Sequence, residues 1–151
     1  MKKVMTAVFL LAILIGNGCK LMDYDADDKS DLAVFDFFTG KWYIQSATNT
    51  AGALAWNASW GFMGCLPVSG NYGGSYPCDL TAYDEDNGQW YSYALDGAWN
   101  TNVHIGESGY MPVTGVYTPS GLENPSVYRR LTGDWILYTN GITTLFNWGF
   151  S

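Results

Sequence analysis

Positive charge is scarce in this chain: 7 Lys and Arg stand against 14 Asp and Glu in 151 residues. Beyond Lys2 and Lys3 at the start, only Arg129 and Arg130 are adjacent, so the clustered cations that nucleic-acid binding requires are missing. A polybasic patch for a membrane surface is missing for the same reason. His104 is the only histidine. No nucleophile elbow accompanies it, so a Ser-His-Asp site has no basis, zinc has no ligand set, and haem ligation would rest on His104 alone. The expectation is a protein that is not an enzyme and carries no cofactor and no metal. Helical periodicity is absent beyond the first residues. No internal repeat of fixed period is legible either.

The chain opens with Lys2 and Lys3, an apolar run over residues 4–15, and the small residues Gly16, Asn17 and Gly18 before Cys19. A basic start, a short apolar stretch and a small-residue exit make an export leader. The run is too short to span a bilayer, which takes about 20 residues. The residues Ile15-Gly16-Asn17-Gly18-Cys19 resemble the lipobox of bacterial lipoproteins. That resemblance implies a helical signal peptide over residues 1–18 and acylation of Cys19 as the new N-terminus. The expected location is the bacterial cell envelope, periplasmic or surface-facing, with the membrane held through the N-terminal lipid.

All 14 acidic residues but only five basic ones follow the leader, a formal charge of −9 that favours solubility. Six of the aspartates fall within residues 20–36. Residues 19–34 read as an acidic tether that cannot bury enough apolar surface to order itself. Asp23, Asp25 and Asp27 have the spacing of a calcium loop. Position six of that loop is Asp28 rather than Gly, and position twelve is Val34 rather than Glu, so the match fails. With Cys19 acylated, Cys65 and Cys78 remain as a pair in an oxidising compartment. The expectation is a disulfide, which would gain about 3 kcal/mol by closing a Gly-rich loop.

Residues 35–151 fit one domain. Eighteen glycines and 7 Trp, 11 Tyr and 7 Phe argue for strands and turns. Residues 54–62 alternate, which puts Leu54, Trp56, Ala58, Trp60 and Phe62 on one face. Asp86-Asn87-Gly88 and Asn140-Gly141 mark hairpin turns, because Asn and Gly accept positive φ. Further strands are expected over residues 40–48, 100–105, 111–118, 135–139 and 143–150. Seven or eight short strands imply a barrel or a sandwich.

Phe38-Thr39-Gly40-Lys41-Trp42-Tyr43 resembles the Gly-x-Trp opening of lipocalins and other calycins. The segments LTAYDEDNGQWYSYALDGAW and TGDWILYTNGITTLFNWGFS resemble hairpins of bacterial lipocalin-like proteins. The resemblance implies an all-β, up-and-down antiparallel barrel, short or incomplete at the C-terminus, with an open edge that invites a partner strand. Trp42 would close one end, with Arg129 or Arg130 packed over it. The expected function follows: an envelope-anchored lipoprotein whose barrel binds an apolar small molecule between Trp56, Trp60, Trp90, Tyr93 and Trp148. The alternatives are a carbohydrate-binding surface lipoprotein, or a structural or assembly lipoprotein without a ligand. Aromatics around a void would favour the first, a flat exterior row the second, and a filled interior with an exposed edge strand the third.

Overall fold

The computed structural model describes residues 22–49, 51–73, 76–98 and 100–149. The signal segment and Cys19 lie outside them. The described residues form eleven strands and no helix: β1 (Leu32–Asp36), β2 (Lys41–Gln45), β3 (Ala53–Ser59), β4 (Leu66–Pro67), β5 (Leu80–Asp84), β6 (Gln89–Tyr93), β7 (Asn100–His104), β8 (Met111–Pro112), β9 (Ser126–Arg129), β10 (Asp134–Thr139) and β11 (Ile142–Asn147). All pairs are antiparallel. The sheets are β1-β2-β3, β4-β5-β6-β7 and β8-β9-β10-β11, each a meander in chain order.

The expected barrel is therefore corrected. The strands divide among three sheets, none of which closes on itself. The physical reason is a repeat that a fixed period conceals. Gly40, Gly88 and Gly133 each follow a strand; Gly40 to Gly88 is 48 positions and Gly88 to Gly133 is 45. Each has positive φ (68°, 74° and 74°), and each donates its N–H to the carbonyl four residues back: Asp36, Asp84 and Arg129. Two residues on stand Trp42, Trp90 and Trp135, in β2, β6 and β10. The strand before each turn is preceded by a matching side-chain clasp. The N–H of Tyr24 donates to Asp31 Oδ2 at 2.7 Å, that of Tyr72 to Asp79 Oδ2 at 2.7 Å, and that of Tyr117 to Asn124 Oδ1 at 2.9 Å. Backbone bonds of 2.8 Å from Asp31 to Met22, Asp79 to Gly70 and Asn124 to Gly115 close the same loops.

Each sheet thus has a rear and a forward face, and neighbouring sheets pack face on face. Phe35, Trp42 and Ile44 on the forward face of the first sheet meet Cys65, Leu80 and Ala82 of the second. Tyr83 and Trp90 on the forward face of the second meet Tyr110 and Val127 of the third, with Ile136 and Tyr138 against them. Because the second sheet is covered on both sides, Leu80, Thr81, Ala82 and Tyr83 are all buried, and β5 shows no alternation of burial.

Burial of Tyr83 pushes its phenol from 10.0 up to about 12, with Glu85, Asp84 and Tyr110 adding to the rise. A raised folded value adds stability that is complete below pH 10 and is lost as pH climbs through about 12. Denaturant midpoints should therefore fall across that window, and Tyr83→Phe should flatten the fall.

Three other expectations change. Residues 23–31 do not form a solvated tether throughout, since Asp23, Tyr24 and Asp31 are buried and Tyr24 belongs to the first core cluster. Burial raises the Asp31 carboxyl, while N–H donors from Tyr24 and Ala47 pull it back. Alternation over residues 54–62 breaks at Asn57, where φ is 61° and the register shifts, so Ala55 is buried and Trp56 is 76% exposed. No disulfide joins Cys65 to Cys78. The pairs Leu66↔Tyr83, Pro67↔Ala82 and Gly70↔Asp79 set the ladder, which puts Cys65 opposite Asp84 and Cys78 at the other end. Six residues of strand span roughly 20 Å, whereas a disulfide needs Cα atoms within about 7 Å. Both thiols instead fill the core as small apolar groups, Cys65 donating to the Phe62 carbonyl at 3.1 Å.

Candidate functional site

The five aromatics expected to line one cavity are dispersed over the three sheets. Only Trp60 and Tyr93 meet, with ring centroids 4.6 Å apart. Trp60 links two sheets: its carbonyl accepts from Trp42 Nε1 at 2.6 Å, and its own Nε1 donates to the Tyr91 carbonyl at 3.2 Å. Trp90 is buried against Tyr72 and Tyr83. Trp56 stands edge-on to Tyr43, out in solvent. Trp148 is 75% exposed, and its carbonyl accepts from Trp135 Nε1.

Arg129 does not pack over Trp42. It lies in the third sheet, 4.1 Å above the Tyr110 ring and 2.5 Å from Glu107. Trp42 packs on Phe35 instead, with centroids 5.0 Å apart. His104 is exposed, and its Nε2 donates to the Asn87 carbonyl at 2.8 Å, which pins the β5–β6 turn. That is a structural role.

Two concavities open at the boundaries between sheets. One, of about 250 Å³, is lined by Tyr24, Asp25, Leu54, Tyr76, Leu95 and Asp96. The other, of about 260 Å³, includes Tyr72, Val103, Leu122, Glu123 and Tyr138. Neither is lined by Trp56, Trp60, Trp90, Tyr93 or Trp148, and both mix carboxylates with apolar groups.

Asp23, Asp25 and Asp27 bring carboxylate oxygens within 4.8 Å of one another, and these are the described residues that could offer oxygens to a hard cation. Backbone N–H groups already account for much of this geometry. Asp23 accepts from Asp27 and Asp28, and Asp25 accepts from Asp27. Asp28 has φ 71°, the left-handed conformation that a Gly at this position would adopt more cheaply. The Asp27 carboxyl is held low, first by its hydrogen bond from Thr48.

The arrangement with chemical consequence lies at the two ends of the stack. On the forward face of the third sheet, Trp135 pairs across strands with Tyr128 and Phe146. Trp135 and Tyr128 lie 4.8 Å apart. Leu137 and Trp148 share that face by alternation. Every residue of β11 is exposed. On the rear face of the first sheet, Val34 pairs with Tyr43, and Tyr43 with Trp56. Leu32 lies on the same side, two residues before Val34. These are apolar faces of a kind that soluble monomers seldom leave open.

Sequence reasoning missed these faces, although Gly-x-Trp recurs as Gly40-Lys41-Trp42, Gly88-Gln89-Trp90 and Gly133-Asp134-Trp135. It also missed Glu123, buried between the second and third clasps. The Glu123 carboxylate accepts from the Asn71 N–H at 2.7 Å, and its N–H returns a bond of 2.8 Å to the Asn71 carbonyl. Comparison with protein-family models, with characterised proteins and with solved structures finds no match to this chain.

Proposed function

We propose that this is an envelope lipoprotein, anchored through Cys19, whose stacked sheets form a protein-binding assembly module. The observation that carries the reading is where the aromatics lie. Trp42, Tyr83 and Trp90 fill the interior, while the edge strand β11, which carries Phe146, is exposed along its whole length. A filled interior leaves an apolar ligand little enclosed space among the described residues, and association is then driven by burying the outer faces. The acidic surface keeps the chain soluble until that contact forms.

The test uses cells fed radiolabelled palmitate and carrying a photo-crosslinking residue at position 34 or 146. Label should enter the chain and vanish in Cys19→Ser. Irradiation should yield protein adducts from both positions and none from position 104, on the exposed His104 side chain. Label that survives Cys19→Ser would remove the anchor. Adduct-free irradiation, together with saturable binding of an apolar probe, would remove the assembly role.

A further inference from the structure

The repeat reveals what the two open faces are built to meet. Leu80 and Ala82 on the rear of the second sheet, and Val127 on the rear of the third, are completely buried by the sheet behind them. The residues at the matching positions of the first sheet are Leu32 and Val34. They are 65% and 46% exposed, although their chemistry is the same. The other end shows the converse. Phe35 and Trp42 in the first sheet, and Tyr83 and Trp90 in the second, are covered by the sheet ahead. Their counterparts Tyr128 and Trp135 in the third have no described sheet ahead of them. Next to them Phe146 is 51% exposed.

We propose that the occupant is a second copy of this chain, docked head to tail: the rear face of its first sheet covers the forward face of the third sheet of its neighbour. The joint would repeat the chemistry of the two internal joints, Tyr128, Trp135 and Leu137 taking the place of Phe35, Trp42 and Ile44 against Leu32 and Val34 in the place of Leu80 and Ala82. The contact is heterologous, so it must close or propagate. Antiparallel four-stranded meanders close into rings of about 4–8 sheets. Two copies supply six, and a two-copy ring leaves neither face open. The inference rests on the assembly-module reading and deepens it by naming the occupant.

Sedimentation of the full chain carrying Cys19→Ser, so that no lipid drives association, tests the proposal. The expected mass is twice that of the chain. Leu32→Asp and Phe146→Asp, on opposite faces, should each reduce it to the single-chain mass while leaving the circular dichroism of the β fold intact. Mixing the two variants should restore the doubled mass, because the forward face of one and the rear face of the other remain whole. A single-chain mass at every loading concentration overturns the proposal. So does dissociation by only one of the substitutions, which would indicate a contact between like faces, or growth beyond two copies. A monomeric chain that still crosslinks to other proteins from positions 34 and 146 would leave the assembly role standing and remove only self-docking.

Discussion

Trp90→Ala should cost about 3–5 kcal/mol of folding stability, the range for deleting a fully buried aromatic. The indole lies between the second and third sheets, 1% exposed, with Tyr83 at 5.1 Å and Tyr72 at 6.0 Å between ring centroids. A domain of this size is stable by about 5–15 kcal/mol, so the variant should approach global unfolding at room temperature. Partial compensation is expected from Trp90 Nε1, which is buried and has no hydrogen-bond acceptor among the described residues. Its counterparts donate to the carbonyls of Trp60 and Trp148. Trp56→Ala, on the open rear face, should cost under about 1 kcal/mol in a monomer-stabilising variant such as Phe146→Asp, since little is uncovered by its loss. Urea midpoints of the two substitutions make the comparison.

Gly88→Ala should be nearly as damaging, and for a different reason. A Cβ there would lie 2.3 Å from the Gly106 carbonyl oxygen and 2.5 Å from its carbon, both backbone atoms that cannot swing aside. The left-handed φ of 74° adds roughly 1–2 kcal/mol for any L-residue, and overpacking adds about 1–3 kcal/mol. Gly40→Ala meets the Phe62 nitrogen at 2.2 Å and should behave alike. Gly133→Ala occupies the same turn in the third sheet, where the nearest atoms are 3.7 Å away. Only the conformational cost should remain there, so its urea midpoint should fall by less than half as much. Equal losses at all three glycines would show that the loops do not cross these turns as described.

These contrasts explain what was legible in the sequence. The turns were: Asn140 and Gly141, with φ of 52° and 79°, join β10 to β11 directly, since Thr139 pairs with Ile142. The turn at Gly88 was located but is longer than a two-residue hairpin loop, because Asp84 pairs with Gln89 and four residues lie between them. Period-two reasoning rested on residues 54–62 alone, and β5 offered it nothing to read, being buried on both faces. It failed in β3, where Asn57 inserts a bulge and turns Trp56 outward. The repeat escaped detection because its spacing shifts from 48 to 45 residues and its clasp changes from Asp31 and Asp79 to Asn124, which accepts the same N–H without a charge. The acidic run misled for a related reason. Its charge suggests solvation, yet Asp31 is the clasp residue of the first unit and holds Tyr24 in the core.

The two cysteines test the three-sheet arrangement most directly. Gly64-Cys65-Leu66-Pro67-Val68 and Gly109-Tyr110-Met111-Pro112-Val113 begin equivalent units, and Leu66↔Tyr83 and Met111↔Tyr128 are equivalent pairs. That register places Cys65 and Cys78 at opposite ends of one ladder. Protein exported to an oxidising compartment, alkylated in denaturant without reductant and weighed intact, should carry a label on both Cys65 and Cys78. A mass 2 Da below the reduced chain, with residues 65 and 78 recovered in one linked peptide, would contradict the register and the repeat built on it.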